Sequence, residues 1–267
     1  MNHTNLSSAQ TPVLSIALVN YKTQEMTKIC LDLLRQHLGN SNVPVWVVDN
    51  YSADESTEYL RQLDWINLIE RTAVAPEVGH IAHGRALDMI LDRINTKYLL
   101  LLHTDTFIFD KNVFSMLLSK CQDEAIVAAV GCVEQIDRGY LRSAWRLSSR
   151  FCKHHFRRLK LAWGLASKQP KPYREIYLKS FCTLWNAKLM KQHDLHFLMD
   201  ERVPGYELQD RMVALGYTIK FLWPRKIFAY LDHIQSGTVS AAGGYGANHR
   251  RTKMYEKILE RLNKNNK

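Results

Sequence analysis

Short apolar runs alternate with stretches of helical period through the first half of the chain. Val13 to Val19 carries no charge and reads as a first strand. Thr23 then offers a helix N-cap ahead of Met26, Ile29, Cys30, Leu33, Leu34 and Leu38, which recur at the spacing of one helix face, and Gly39 can end that helix. Pro44 to Val48 is a second run closing on Asp49, and Ser52 with Glu55 has the form of a capping box before Tyr59, Leu60 and Leu63. Ile66 to Ile69 makes a short third strand, Ala82 to Ile94 returns to helical period, and Tyr98 to Leu102 suits a strand buried on both faces. Such alternation predicts an α/β fold with a mainly parallel sheet flanked by helices. In open sheets of this kind ligands bind beyond the carboxyl ends of the strands, which singles out Asn20, Tyr21, Asp49, Asn50, His103, Thr104 and Asp105.

The alternation fades near residue 133. It divides the chain into residues 1–133, a basic and largely helical segment at 134–180, and a final part at 181–267 that begins after the Pro170-Lys171-Pro172 breaker. Eleven of the 36 Lys and Arg fall between Arg138 and Arg174 with no Asp or Glu among them, which leaves 25 basic against 26 acidic residues elsewhere. The whole excess of +10 therefore sits in one stretch. Within it Arg138, Arg142, Arg146 and Arg150 recur every fourth residue and alternate with Leu141, Trp145, Phe151, Phe156, Leu159 and Trp163, the pattern of a basic amphipathic helix. A solvated face, an anionic lipid surface, a phosphate-bearing acceptor and nucleic acid each fit that pattern. A second basic run, Arg250 to Lys267, has the look of a terminal helix with an Asn and Lys tail.

With 267 residues, 46% of them hydrophobic, the chain can bury a full core, which excludes a disordered chain or a small stapled scaffold. The five cysteines (30, 121, 132, 152 and 182) are odd in number and form no two-residue metal or redox pair, so a reducing compartment is expected. No apolar run approaches the roughly 18 to 20 residues of a membrane span, and Val13 to Val19 lacks the flanks of a secretory signal. A cytoplasmic protein, peripheral at the inner face of the membrane, is the expectation.

Asp105 closes a buried run, where a hard carboxylate oxygen can bind Mg²⁺ or Mn²⁺ and through it a nucleotide diphosphate. Five separated stretches then match one pattern. Val13 to Tyr21 resembles the first strand of the family 2 glycosyltransferases, and Val47-Val48-Asp49-Asn50-Tyr51-Ser52-Ala53-Asp54-Glu55-Ser56 is similar to their VDN-x-S-x-D-x-S motif. Leu100 to Thr106 resembles the strand leading into their DXD motif, with His103 in the place of the first acid. Glu207 to Arg211 with Gly216 and Tyr217 resembles their acidic helix start, and Tyr230-Leu231-Asp232-His233 their late strand ending in His.

The resemblance implies a GT-A type fold, Rossmann-like in its parallel sheet, with a nucleotide-sugar-binding half at 1–133 and a mixed acceptor and catalytic part at 181–267. It implies a metal-dependent inverting transferase that moves a sugar from a nucleotide-diphosphate donor to a glycan or lipid-linked acceptor. Asp105 and His233 become metal ligands for Mn²⁺ or Mg²⁺, and Asp49 a hydrogen-bond partner of the nucleobase. Tyr21 stacks on the base or packs in the core, and His103 ligates the metal or bonds the donor ribose. His83 and Arg85 become donor contacts, Arg85 pairing with the diphosphate. Glu207 becomes the base, with Asp210, expected on another side of its helix, as the runner-up. Ser236-Gly237-Thr238 and glycines 243, 244 and 246 are expected to close over the donor. Two other readings stay open: a catalytically idle relative that binds a nucleotide-sugar or a protein, suggested by His103 and the lack of an adjacent acid pair near Pro204 to Glu207, and, less favoured, a nucleic-acid-binding protein, which a pI near 9.4 permits.

Overall fold

The computed structural model describes residues 12–72, 77, 79–122, 126–234 and 255–262. The expected donor-closing residues from Ser236 to Gly246 lie outside that set, as does most of the basic C-terminal run apart from helical residues 255–262.

The first half follows the predicted alternation. Strands β1 (Leu14–Asn20), β2 (Val45–Asp49), β3 (Asn67–Glu70) and β4 (Tyr98–Leu102) are separated by helices α1 (Gln24–Leu38), α2 (Glu55–Arg61) and α3 (Gly79–Arg93). Gly39 ends α1 at φ 55°, a left-handed value that its missing Cβ makes inexpensive, and its N–H donates to the carbonyl of Arg35. Thr23 holds the N-cap position of α1 without a side-chain cap bond. The capping box at the start of α2 is not formed by Ser52. Asp54 is the N-cap, accepting from the backbone N–H of Ser56 at 3.0 Å, because the Ser52 hydroxyl is drawn inward to Asp49.

After β4 come β5 (Thr106–Ile108), α4 (Asn112–Gln122), β6 (Val127–Cys132), α5 (Gly139–Ala162), β7 (Cys182–Trp185), α6 (Ala187–Gln192), α7 (Tyr206–Ala214), β8 (Thr218–Leu222), α8 (Pro224–Ile227) and β9 (Leu231–His233). Seven strands form one sheet in the order β3-β2-β1-β4-β7-β6-β8, and β5 pairs with β9 in a small second sheet. Within the large sheet β7 alone runs antiparallel to its neighbours β4 and β6, so the sheet is mixed but mostly parallel. The strands from both sides of the basic segment thus share a sheet, with β7 seated between β4 and β6.

Every residue of β1, β4 and β6 is buried, as strands covered on both faces require. Alternate side chains split between two cores. Ile16, Leu18, Leu100 and Leu102 pack with α1 and α4 through Leu31, Leu34, Val113 and Leu117. Ala17, Leu99 and Leu101 face α3 and α7 through Leu87, Ile90, Leu208 and Met212. Each fully buried Leu or Ile contributes about 1.5–3 kcal/mol relative to exposure, so these cores hold the ends of β1, β2 and β4 firmly in place. The chain turns from one side of β1 to the other between β3 and β4, which makes the β1–β4 junction the switch point where a crevice opens.

Candidate active site

The sequence-predicted residues gather in three groups at the carboxyl ends of these strands. At the ends of β1 and β2, Asn20 donates Nδ2 to Asp49 Oδ1 at 2.8 Å and to Ser56 Oγ at 2.8 Å, while its Oδ1 accepts from Thr27 Oγ1 at 2.8 Å. The Asp49 carboxylate also accepts from Ser52 Oγ at 2.5 Å, from the Ser52 N–H at 3.3 Å and from Thr57 Oγ1 at 2.9 Å. Asn20 and Asp49 are both buried, so the carboxylate's four acceptor positions are all engaged inside the protein. Their bonds lock two turns that carry non-glycine residues at positive φ: Lys22 at 52°, Tyr51 at 63° and Ala53 at 49°. Tyr21 and Tyr51 stand out of these turns, 39% and 54% exposed. Asn50 is held from the side by Arg71, whose Nη1 donates to its Oδ1 at 2.5 Å and whose Nη2 donates to Glu77 at 2.9 Å.

The second group follows β4. Pairing of β5 with β9 sets Thr106 opposite His233, and the Ile234 N–H donates to the carbonyl of Asp105 at 3.0 Å, which brings His233 over Asp105. His233 Nδ1 lies 3.3 Å from Asp105 Oδ1, and His103 Nδ1 lies 3.8 Å from the same oxygen. One ligand atom from each of His103, Asp105 and His233 falls within 4.8 Å of the others, the single such group among the described residues. His233 is buried, its ring stacks on Phe181, and its Nε2 has no hydrogen-bond partner among the described residues. Thr104 Oγ1, beside Asp105, is likewise buried without a partner among the described residues. His103 Nε2 is hydrogen-bonded to Ser180 Oγ at 2.8 Å, and His83 of α3 meets the His103 ring at 5.5 Å between centroids. Desolvation pushes His103 down to about 3, the pull of Asp105 notwithstanding, and His83 down to about 4, so both imidazoles are neutral near pH 7. A neutral imidazole with one nitrogen committed to a second group is the form a metal requires.

The third group stands at the start of α7. Arg202 Nη1 donates to Glu207 and, at 2.9 Å, to Asp210, while its Nη2 donates to the Tyr177 hydroxyl at 2.9 Å. Arg211 donates to the other oxygen of Glu207 at 2.7 Å. Glu207 and Asp210 therefore converge on one guanidinium. The expectation that Asp210 faces elsewhere is corrected, since residues three apart share a helix face. Bonds from Arg211 and Arg202 hold Glu207 below the usual carboxylate range.

Two elements tie the second and third groups together. The segment before β7 carries Tyr177 to Asp210 at 2.9 Å, Lys179 to the Tyr206 hydroxyl at 2.8 Å, and Ser180 to His103. Helix α3 offers His83 to His103, while Asp88 accepts from the N–H groups of Phe197 and Leu198 at 2.6 and 3.1 Å, fixing the loop that bears Arg202. Arg85 does not join either group: it pairs with Glu77 and its side chain is 56% exposed. Sequence reasoning missed Arg71, Tyr177, Ser180 and Arg202. Each sits in a loop and has at least one partner from a distant segment, and no local spacing marks it.

The sequence profile described as glycosyl transferase family 2 matches residues 15–191. The mannosyltransferase PcManGT from Pyrobaculum calidifontis, solved with GDP-Man and Mn²⁺, superposes with a TM-score of 0.56 at 13% identity over 80% of this chain and 55% of its own. Glucosyl-3-phosphoglycerate synthase from Mycobacterium tuberculosis, solved with Mn²⁺, UDP and glucosyl-3-phosphoglycerate, gives 0.51 at 17% identity over 78% and 68%. TarS (1–349) from S. aureus gives 0.50 at 17% identity over 79% and 58%. The chain thus spans little more than half of the first and the last of these, and at such identities the likeness is one of fold, the GT-A arrangement of a mostly parallel sheet between helices. No curated protein has a matching sequence. Because the profile runs from β1 through α6 and takes in well over half of the residues, the chain belongs to glycosyl transferase family 2.

Proposed function

We propose that the protein is a metal-dependent inverting glycosyltransferase that takes a sugar from a nucleotide-diphosphate donor and passes it to a glycan or lipid-linked acceptor. The observation that carries this reading is the meeting of His103, Asp105 and His233 at the end of β4, with the buried Nε2 of His233 left without a hydrogen-bond partner. Two imidazoles and a carboxylate fit Mn²⁺ or a similar ion. Such an ion would supply positive charge beside the leaving diphosphate.

The chain's own residues divide the remaining work. The nucleobase lies against Tyr21, Tyr51 and Asn50, and Asp49, its oxygens already engaged, acts on the base chiefly by holding the β2–α2 turn in shape. Thr104 offers its hydroxyl to the donor, and His83 keeps His103 in place. Glu207 takes the proton of the acceptor hydroxyl as the new bond forms, with Asp210 as the runner-up. In the present arrangement Arg202 and Arg211 occupy both oxygens of Glu207, so the acceptor must loosen at least one of these bonds to be deprotonated. Arg85, paired with Glu77 at the surface, reaches a donor diphosphate after giving up that partner. Residues 1–133 thus serve the donor, and residues 181–267 the acceptor and the base.

The same grip on Glu207, together with His103 in the acid position, favours a second reading in which the chain binds a nucleotide-sugar without transferring it. A panel of UDP-, GDP- and dTDP-sugars screened by thermal shift with Mn²⁺, followed by donor hydrolysis on any hit, separates the two. Mn²⁺-dependent stabilisation with turnover supports the transferase; stabilisation without turnover supports the idle binder; no response to any donor sinks both.

A further inference from the structure

Helix α5 is alone among the described helices in burying no residue. Its 24 residues, about 36 Å at 1.5 Å per residue, hold seven Lys and Arg and no acid. Leu141, Trp145, Cys152, Phe156, Leu159 and Trp163 recur at intervals of three, four and seven, so they line a single face from one end of the helix to the other. Leu141, Trp145, Phe156 and Trp163 are 88%, 78%, 60% and 69% exposed. Phe151 lies off this stripe and packs on Tyr173, with ring centroids 5.2 Å apart.

The charges divide in the same way. Arg146 and Arg150, on the flank turned to the body of the protein, pair with Glu134 and Glu175. Arg142, Lys153 and Lys160 border the apolar stripe and have no carboxylate partner among the described residues. A face of large apolar side chains edged by cations matches the boundary between acyl chains and anionic headgroups, where both halves are satisfied at once. A second copy of α5 would set seven cations against seven, and a nucleic acid would leave the apolar stripe in water. No helix among the described residues is long and apolar enough to cross a membrane, so this one lies along the surface.

We propose that α5 docks the protein on an anionic bilayer, lying in its plane with the Leu141 to Trp163 stripe immersed and Arg142, Lys153 and Lys160 at headgroup level. The docked helix is tied to the acid-bearing end of α7. Glu175 accepts from Arg150 at 2.7 Å and pairs with Lys179 at 3.5 Å, and Lys179 donates to the hydroxyl of Tyr206, the residue before Glu207. Docking therefore holds Glu207 close to the leaflet, where a lipid-linked acceptor presents its hydroxyl; this consequence rests on the function proposed above, whereas the docking itself does not.

Flotation of the full chain with phosphatidylcholine vesicles, with and without phosphatidylglycerol, tests it. Binding to the anionic vesicles should be at least about ten-fold stronger at low salt and should weaken as salt rises. Two variants should each lose that advantage while keeping the wild-type melting temperature: Arg142→Gln with Lys153→Gln and Lys160→Gln, and Leu141→Ser with Trp145→Ser, Phe156→Ser and Trp163→Ser. Equal binding to both vesicle types, no binding to either, or unchanged binding by the folded variants overturns the proposal. So does a wild-type dimer that the stripe variant dissolves. Vesicle binding by a protein that takes up no nucleotide-sugar leaves the docking standing and removes the transferase reading instead.

Discussion

Ser180 Oγ and His103 Nε2 are hydrogen-bonded at 2.8 Å, and this bond turns Nδ1 of the same ring toward Asp105. Ser180 touches neither substrate nor reacting atoms in the proposed mechanism and acts as a positioning residue. Ser180→Ala should weaken Mn²⁺ binding by about 10- to 100-fold, as loss of an outer partner of a ligating imidazole does elsewhere. Titration calorimetry measures it, and the melting temperature of the metal-free protein should stay put.

His103 stands where an oxygen donor is expected from the family resemblance, so the site is richer in nitrogen than a pair of carboxylates. His103→Asp should move the preference toward Mg²⁺, lowering the ratio of Mg²⁺ to Mn²⁺ dissociation constants by about ten-fold or more. Asp105→Ala is the reference, expected to abolish binding of both ions while the backbone bond from Ile234 to the Asp105 carbonyl keeps the β5–β9 pair. An unaltered ratio in a folded His103→Asp protein would remove His103 from the ligand set.

Glu207→Gln keeps the shape of the side chain but cannot accept a proton. Transfer should fall by roughly 10²- to 10⁴-fold with donor affinity little changed. Asp210→Asn should cost less. Because Arg202 bridges both acids, each variant needs its melting temperature recorded, and a reversal of the two effects exchanges their roles.

Gly84 has no room for a side chain. A Cβ there would stand 2.8 Å from Leu198 Cβ and 3.0 Å from Pro204 Cγ, and the first of these atoms is fixed to the backbone. Gly84→Ala should therefore push the loop bearing Arg202 off α3 and destabilise the protein by about 1–3 kcal/mol, read by urea denaturation.

Asp88 is raised to about 6 by desolvation, only partly countered by the N–H groups of Phe197 and Leu198. An acid whose folded pKa exceeds its unfolded value near 3.8 contributes stability below that value and loses it as pH rises through about 6. Relative to Asp88→Asn, the wild type should thus lose about 2 kcal/mol between pH 4 and pH 6. Parallel denaturation curves for the two proteins across that range would remove the effect.

The first half was the easier to read because β1, β2 and β4 are short apolar runs closed by polar residues, and burial on both faces leaves little choice of conformation. Asp105 and His233 were legible for the same reason, each ending an apolar run. Ser52 misled, since its hydroxyl serves the interior at Asp49 rather than the helix it precedes. Arg202 gave no local sign at all. It lies in an irregular loop just after Asp200 and Glu201, both at positive φ, and its importance appears only when Tyr177, Glu207 and Asp210 are brought to it from other elements.

The place of β7 also sets an order of assembly. Strands β1 to β4 can pair as soon as residue 102 has emerged, but β6 and β8 have no edge to join until residues 182–185 fill the space beside β4. During synthesis the fully apolar edge of β4 and the β6 strand therefore wait, unpaired, for the length of α5 and the loop behind it. Exposed edges of this kind invite pairing with other chains. A truncation before Cys182 should accordingly yield aggregates rather than a smaller soluble protein, and a nascent chain would gain from cover over β4 through that interval.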